Sequence, residues 1–200
     1  MAAHIVTVRF SCALVVLAMV RAGAQTATDG GPFSHVAFRA GVLRQSVDAR
    51  LAKLYSPARG WAAEASSPTD IGELALAVER ATFRSAGADR HPDFHGTVGM
   101  LKWRMPFPAV GPFTVAAGAH AGLMQFSFQD TAIVEGLRKE REMLFGVNAL
   151  GSIRLTRHLS AFVGAEYTHV WLHVPVHLTP VSAGIGYTAT TPGWLREFLQ

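Results

Sequence analysis

Three histidines in HVWLHVPVH, His169, His173 and His177, have the side chain most often used as a metal ligand. Their spacing of four puts them on one face of a strand. At ~3.3 Å per residue neighbours then lie about 13 Å apart, too far to share an ion held by nitrogen bonds of ~2.0–2.1 Å. They are expected near a rim, not around a metal. A second constellation, HLSAFVGAE, offers His158 as base, Ser160 as nucleophile and Glu166 as orienting acid. A third is larger. Arg39, Glu64, Glu73, Glu79, His120, Arg154 and Glu166 all fall opposite apolar faces. Seven ionisable groups brought inside a fold are costly unless paired, so a structural salt-bridge network is expected, with a narrow ion path or a proton-linked gate as the functional alternative. No catalytic, cofactor-binding or metal-binding residue is assigned, and no cofactor is expected.

The elements that must position these groups are strands. Alternation with period two, bounded by turn residues, marks 34–46, 59–66, 71–84, 94–105, 113–128, 143–155, 159–174 and 178–190. In 113–128, for example, Phe113, Val115, Ala117, Ala119, Ala121 and Leu123 oppose Thr114, Gly118, His120 and Gly122. In 71–84, Leu74, Leu76 and Val78 oppose Glu73, Ala75, Ala77 and Glu79. The phase of 94–105, FHGTVGMLKWRM, is ambiguous. Several of these strands are longer than the usual five or six residues and match the about 9–11 needed by a tilted membrane strand.

Composition agrees. Half of the 200 residues are hydrophobic and 16% are charged, yet no apolar run past residue 20 has the length of a membrane helix. The apolar content is therefore spread in short pieces. The 19 glycines suit a narrow closed sheet. Arg9 and Arg21 account for half of the formal net charge of +4, and no basic stripe carries interleaved aromatics, so nucleic acid is not an expected partner. Residues 1–24 read as a secretory signal: Arg9, the apolar core Phe10 to Val20, and the small-residue site Ala22-Gly23-Ala24. The one cysteine, Cys12, lies inside it, leaving no cysteine for a disulfide or a thiolate metal site. Residues 25–32 form a leader.

The connections 47–58, 85–93 and 129–142 are longer than 67–70, 106–112 and 156–158, with 175–177 as a short exception. Long and short connections alternate in this way in outer-membrane barrels, with the long ones external. With its signal, strand count, alternation and loop parity, the chain resembles the small outer-membrane β-barrel proteins of the OmpA-like and OmpX-like group over residues 33–190. The resemblance implies an all-β fold, an eight-stranded antiparallel up-and-down transmembrane β-barrel in the outer membrane. Its apolar faces would meet lipid, with Trp61, Trp103, Tyr167, Trp171 and Tyr187 in the interfacial girdles.

Implied partners are membrane lipid, lipopolysaccharide and the barrel-assembly machinery, with the barrel as a monomer. The mildly basic loop 47–58 is placed to touch lipopolysaccharide, and EGLRKEREM, in 129–142, is expected as a solvated external loop contacting lipid head groups or sugars, with a short helix as the alternative its i, i+4 charges allow. The end departs from the group's pattern of a final aromatic residue. Phe198 is third from last, and Trp194, Leu195, Phe198 and Leu199 have helical spacing within a periplasmic tail at 191–200.

The expected role is non-enzymatic, in envelope structure or surface interaction through the external loops. Two alternatives come from other classes. One is a lipid-modifying enzyme, because HLSAFVGAE resembles the His-x-Ser element of the outer-membrane lipid A 3-O-deacylases. Against it, His158, Ser160 and Glu166 share the lumen phase, and His158 falls at a periplasmic turn. The other is a soluble lipocalin-like binder, which requires an apolar interior and a polar exterior.

Overall fold

The computed structural model describes residues 31–87, 92–107, 111–128, 139–172 and 175–199. The proposed signal, most of the leader, His173 and residues 129–138 lie outside them. Eight strands alternate in direction: β1 (His35–Val47), β2 (Ala58–Thr69), β3 (Gly72–Phe83), β4 (Phe94–Pro106), β5 (Phe113–Phe128), β6 (Lys139–Arg154), β7 (Leu159–Val170) and β8 (Val176–Thr190). Each pairs with the next, and β8 closes on β1. Closure removes the unpaired edges that an open sheet would expose.

The register fixes the shape. Stepping between Cα partners from Ala37 leads through Ser66, Ala75, Lys102, His120, Gly146, Thr168 and Leu178 back to β1 at Val47, ten residues further on. That stagger over eight strands implies a tilt of roughly 40° and a bore that side chains can fill. The β7–β8 ladder lapses at Glu166 and Tyr167, opposite Thr179 and Pro180, where proline has no N–H to donate.

Several boundaries move. β2 runs on to Thr69, so its connection to β3 shrinks to Asp70 and Ile71. Gly72 closes this tight turn at φ 131°, a backbone region that favours glycine. β7 ends at Val170, four residues early, and β8 starts at Val176. β6 begins at Lys139, so Arg141 and Glu142 are extended and do not join a helix. Arg141 donates from Nε to Gln125 Oε1 at 3.2 Å. A helix α1 (Gly193–Leu199) follows β8, as the spacing of its apolar residues predicts. In the β1–β2 connection a 3-10 turn covers Leu51–Lys53, and Tyr55 bridges to Ser85.

Outward positions are apolar along most of the wall. Val42, Leu76, Val115, Val147, Val163 and Ile185 are each more than half exposed, which is unfavourable in water and favourable in lipid. Among the described residues no helix is long and apolar enough to cross a membrane. The crossing elements are strands.

Candidate functional site: the barrel interior

Inward positions change chemistry with height. In the middle of the barrel they carry charge. Arg39 on β1 donates from Nη1 to Glu64 Oε1 at 2.7 Å and to Ser66 Oγ at 2.8 Å, and engages both oxygens of Glu73 at 3.1 Å. Arg104 on β4 donates to both oxygens of Glu64, to Glu73 Oε1 at 3.0 Å, and from Nε to Asn148 Oδ1 at 2.7 Å. Lys102, two residues away on the same face, meets Glu166, Glu79 at 3.3 Å and Glu64 at 3.6 Å. His120 Nδ1 lies 3.7 Å from Glu166 Oε2, and its Nε2 shares a hydrogen bond with Thr168 Oγ1 at 3.0 Å.

Three cations thus face four carboxylates, with the His120 ring beside Glu166. Two-point arginine–carboxylate geometry makes such pairs strong and directional. His120 Nδ1, Asn148 Nδ2 and Glu166 Oε2 are buried without a protein hydrogen-bond partner. A void of about 20 Å³ borders Glu166, Lys102 and Arg104, enough for one bridging water.

Of the seven charged residues read from the sequence, the structure brings six together: Arg39, Glu64, Glu73, Glu79, His120 and Glu166. Arg154 is a correction. It ends β6, is exposed, and lines an open cavity of about 450 Å³ at the mouth nearest the β6–β7 turn with His35, Arg157 and His158. Arg39 and Glu73 of the charged network border the same cavity, but among the described residues no ion pair joins Arg154 to Glu73 or to the other central carboxylates. The cations missed by the sequence reading are Lys102 and Arg104. Their signal was Leu101, Trp103 and Met105 alternating against them. It was obscured because Val98 and Met100 occupy the same inward face higher up.

Above the charges the lumen is apolar. Leu43, Val98, Met100, Met124, Leu144, Val170, Val176 and Leu178 are buried there with Phe83 and Phe94. Phe94 stacks on Phe83 at 4.5 Å and meets Tyr55 edge-on at 5.0 Å. A cavity of about 170 Å³ remains among Tyr55, Phe83, Phe94, Met124, Phe126 and Phe128. The faces assigned from sequence held no such inner apolar layer.

The smaller constellations resolve differently. His158 Nδ1 lies 3.0 Å from the Thr188 carbonyl, and Glu166 is committed to Lys102. Among the described residues no hydrogen bond joins His158 to Ser160, so base, nucleophile and acid do not assemble. His169 and His177 are not spread along one strand. The β7–β8 hairpin makes them direct cross-strand partners, with ring centroids 4.9 Å apart, and His177 Nδ1 is 3.0 Å from Tyr167 Oη. Folding back of the chain brings together groups that an extended segment would hold far apart. Among the described residues no group of three potential ligands could hold a metal.

No family model and no curated protein matches the chain in sequence. Solved structures do match in shape. Neisserial surface protein A aligns over 76% of this chain and 95% of its own at 19% identity and a TM-score of 0.51. Ail, the attachment invasion locus protein of Yersinia pestis, solved with the heparin analogue sucrose octasulfate, aligns over 80% and 99% at 14% identity and 0.52. The outer membrane protein OprG from Pseudomonas aeruginosa aligns over 82% and 100% at 12% identity and 0.53. The fold is that of the small eight-stranded outer-membrane β-barrels.

Proposed function

We propose that this chain is an integral outer-membrane barrel whose lumen is closed and whose work is done by its outer surfaces, in envelope structure or in contact with partners through the external loops. The polarity of the wall carries this reading. Among the described strand residues every Asp and Glu points inward: Glu64, Glu73, Glu79, Glu140, Glu142 and Glu166. The outward wall is apolar except for arginines toward one end, the reverse of a soluble lipocalin-like barrel. Closure of the lumen follows from the two stacked layers, a charged one held by paired groups and an apolar one above it. A non-enzymatic role is supported by the failure of His158, Ser160 and Glu166 to assemble. A surface-contact role is consistent with the attachment named for the similarly folded Ail.

Fractionation of cells expressing the full chain tests the location. Outer-membrane recovery, with a gel mobility that shifts on boiling, is expected. Recovery as a soluble periplasmic protein of unchanged mobility would contradict it. In planar bilayers the same protein is expected to give no discrete conductance steps, and regular steps of one size would show that the lumen is open.

A further inference from the structure

The outward wall carries charge at only one end. Arg44 on β1, Arg59 on β2 and Arg80 on β3 all point out and are exposed. Arg44 and Arg59 are direct cross-strand partners, and Arg80 stands opposite Trp61, two residues further along β2. In a barrel of this stagger a step to the next strand climbs about 3 Å and two residues along a strand about 5 Å. The three guanidinium-bearing positions therefore lie within about 3 Å of one height. Trp61 and Tyr167 fall at that level, while Tyr187 marks the opposite rim roughly 20 Å below, about the height of the apolar band of an outer-membrane barrel. The arginines stand at the external edge of the membrane-facing wall.

Like charges directly opposite on a sheet repel. Here no described acidic residue relieves them. Among the described residues none of the three arginines has an ion pair. The nearest outward neighbours are Val42, Ser46, Trp61, Val78, Thr82, Thr97 and Val181, none acidic. A counter-charge from outside the chain would meet them at head-group depth, beside apolar side chains that suit acyl tails.

We infer that Arg44, Arg59 and Arg80 form a binding site for the phosphate of a phosphorylated glycolipid head group in the outer leaflet. Guanidinium forks match phosphate oxygens two at a time. Three forks on adjacent strands, some 5 Å apart from one strand to the next, can hold one phosphate among them while Trp61 and Val78 meet the lipid's apolar part. This inference rests on the reading of the chain as an outer-membrane barrel.

The test uses the full chain folded in zwitterionic micelles and titrated, by native mass spectrometry, with bisphosphorylated lipid A, the same lipid dephosphorylated, and inorganic phosphate. The wild type is expected to bind the phosphorylated lipid about tenfold or more tightly than the dephosphorylated one. The triple variant Arg44→Gln, Arg59→Gln, Arg80→Gln is expected to lose that preference while keeping its heat-dependent gel shift. Triple replacement by lysine should fall between, since charge remains and the fork is lost. Equal binding by wild type and triple variant, no preference for the phosphorylated lipid, or displacement by inorganic phosphate at matching concentration would each overturn the site. If the triple variant does not fold, Arg59→Gln alone decides, with a several-fold loss expected and no change overturning the site. A wild type without a heat-dependent shift would instead remove the barrel reading beneath it.

Discussion

The two layers of the lumen occupy the same inward positions of the same strands and are built on opposite principles. On β4 the inward residues run Phe94, Gly96, Val98 and Met100, then Lys102 and Arg104. Phe94, Val98 and Met100 join an apolar cluster, and the lower two anchor four carboxylates. The charged layer is directional, because each group is held by named partners and is costly when one is lost. The apolar layer depends on volume, so its cost follows the size of the hole left behind. A narrow bore can thus be closed by pairing or by packing, and this protein uses both in series.

The two layers should respond differently to substitution. Arg104→Ala leaves Glu64 and Glu73 short of a partner in the middle of the barrel, and the expected loss is about 3–5 kcal/mol, read by urea unfolding in micelles. Adding Glu64→Gln to it should restore part of that loss, because the stranded charge is removed. A loss below about 1 kcal/mol, the range of surface ion pairs, would mean the network is hydrated and not structural.

In the upper layer Phe94→Ala removes the ring between Phe83 and Tyr55 and is expected to cost about 3 kcal/mol. No neighbouring substitution should rescue it except one that refills volume. Rescue by a small apolar solute would show the packing character directly.

The smallest effect is expected in the β1–β2 connection. The Asp48 carboxylate accepts from the backbone N–H of Leu51 at 3.0 Å, of Arg50 at 2.9 Å and of His177 at 3.3 Å. Those bonds, led by the one from Leu51, hold its carboxyl below the usual carboxylate range. A depressed value stabilises the fold above the unfolded pKa and loses that contribution as pH falls through the folded one. Asp48→Asn should therefore flatten the acid side of the stability profile below about pH 4 and leave neutral pH nearly unchanged.

The outer wall was legible in the sequence because lipid demands apolar side chains at most outward positions. Leu74, Leu76 and Val78 announce β3, and Phe113 to Leu123 announce β5, with a period that nothing interrupts. The interior was legible only where charge lay opposite such a face, as at Glu73, Glu79 and His120. On β4 both faces are partly apolar, so alternation alone could not say whether Val98 and Met100 or Leu101 and Trp103 met lipid. The closed register settles it, since Lys102 is partner to Ala75 and His120. Arg154 was misplaced for the opposite reason. Its phase is inward, but periodicity does not report height, and at the end of β6 an inward phase leads to the open mouth. The pairing of His169 with His177 needed the hairpin.

Neighbouring positions on β3 give the most direct test of the inverted wall. The single cysteine of the chain, Cys12, lies in the proposed signal, so Ala77→Cys and Val78→Cys each place one reporter thiol in the barrel of the mature protein. Ala77 is buried inward and Val78 is exposed outward. With an environment-sensitive fluorophore attached in bilayers, brominated lipid should quench the label at position 78 strongly and at position 77 little. Equal quenching at both positions, or stronger quenching at 77, would contradict a wall that is apolar toward lipid and charged within.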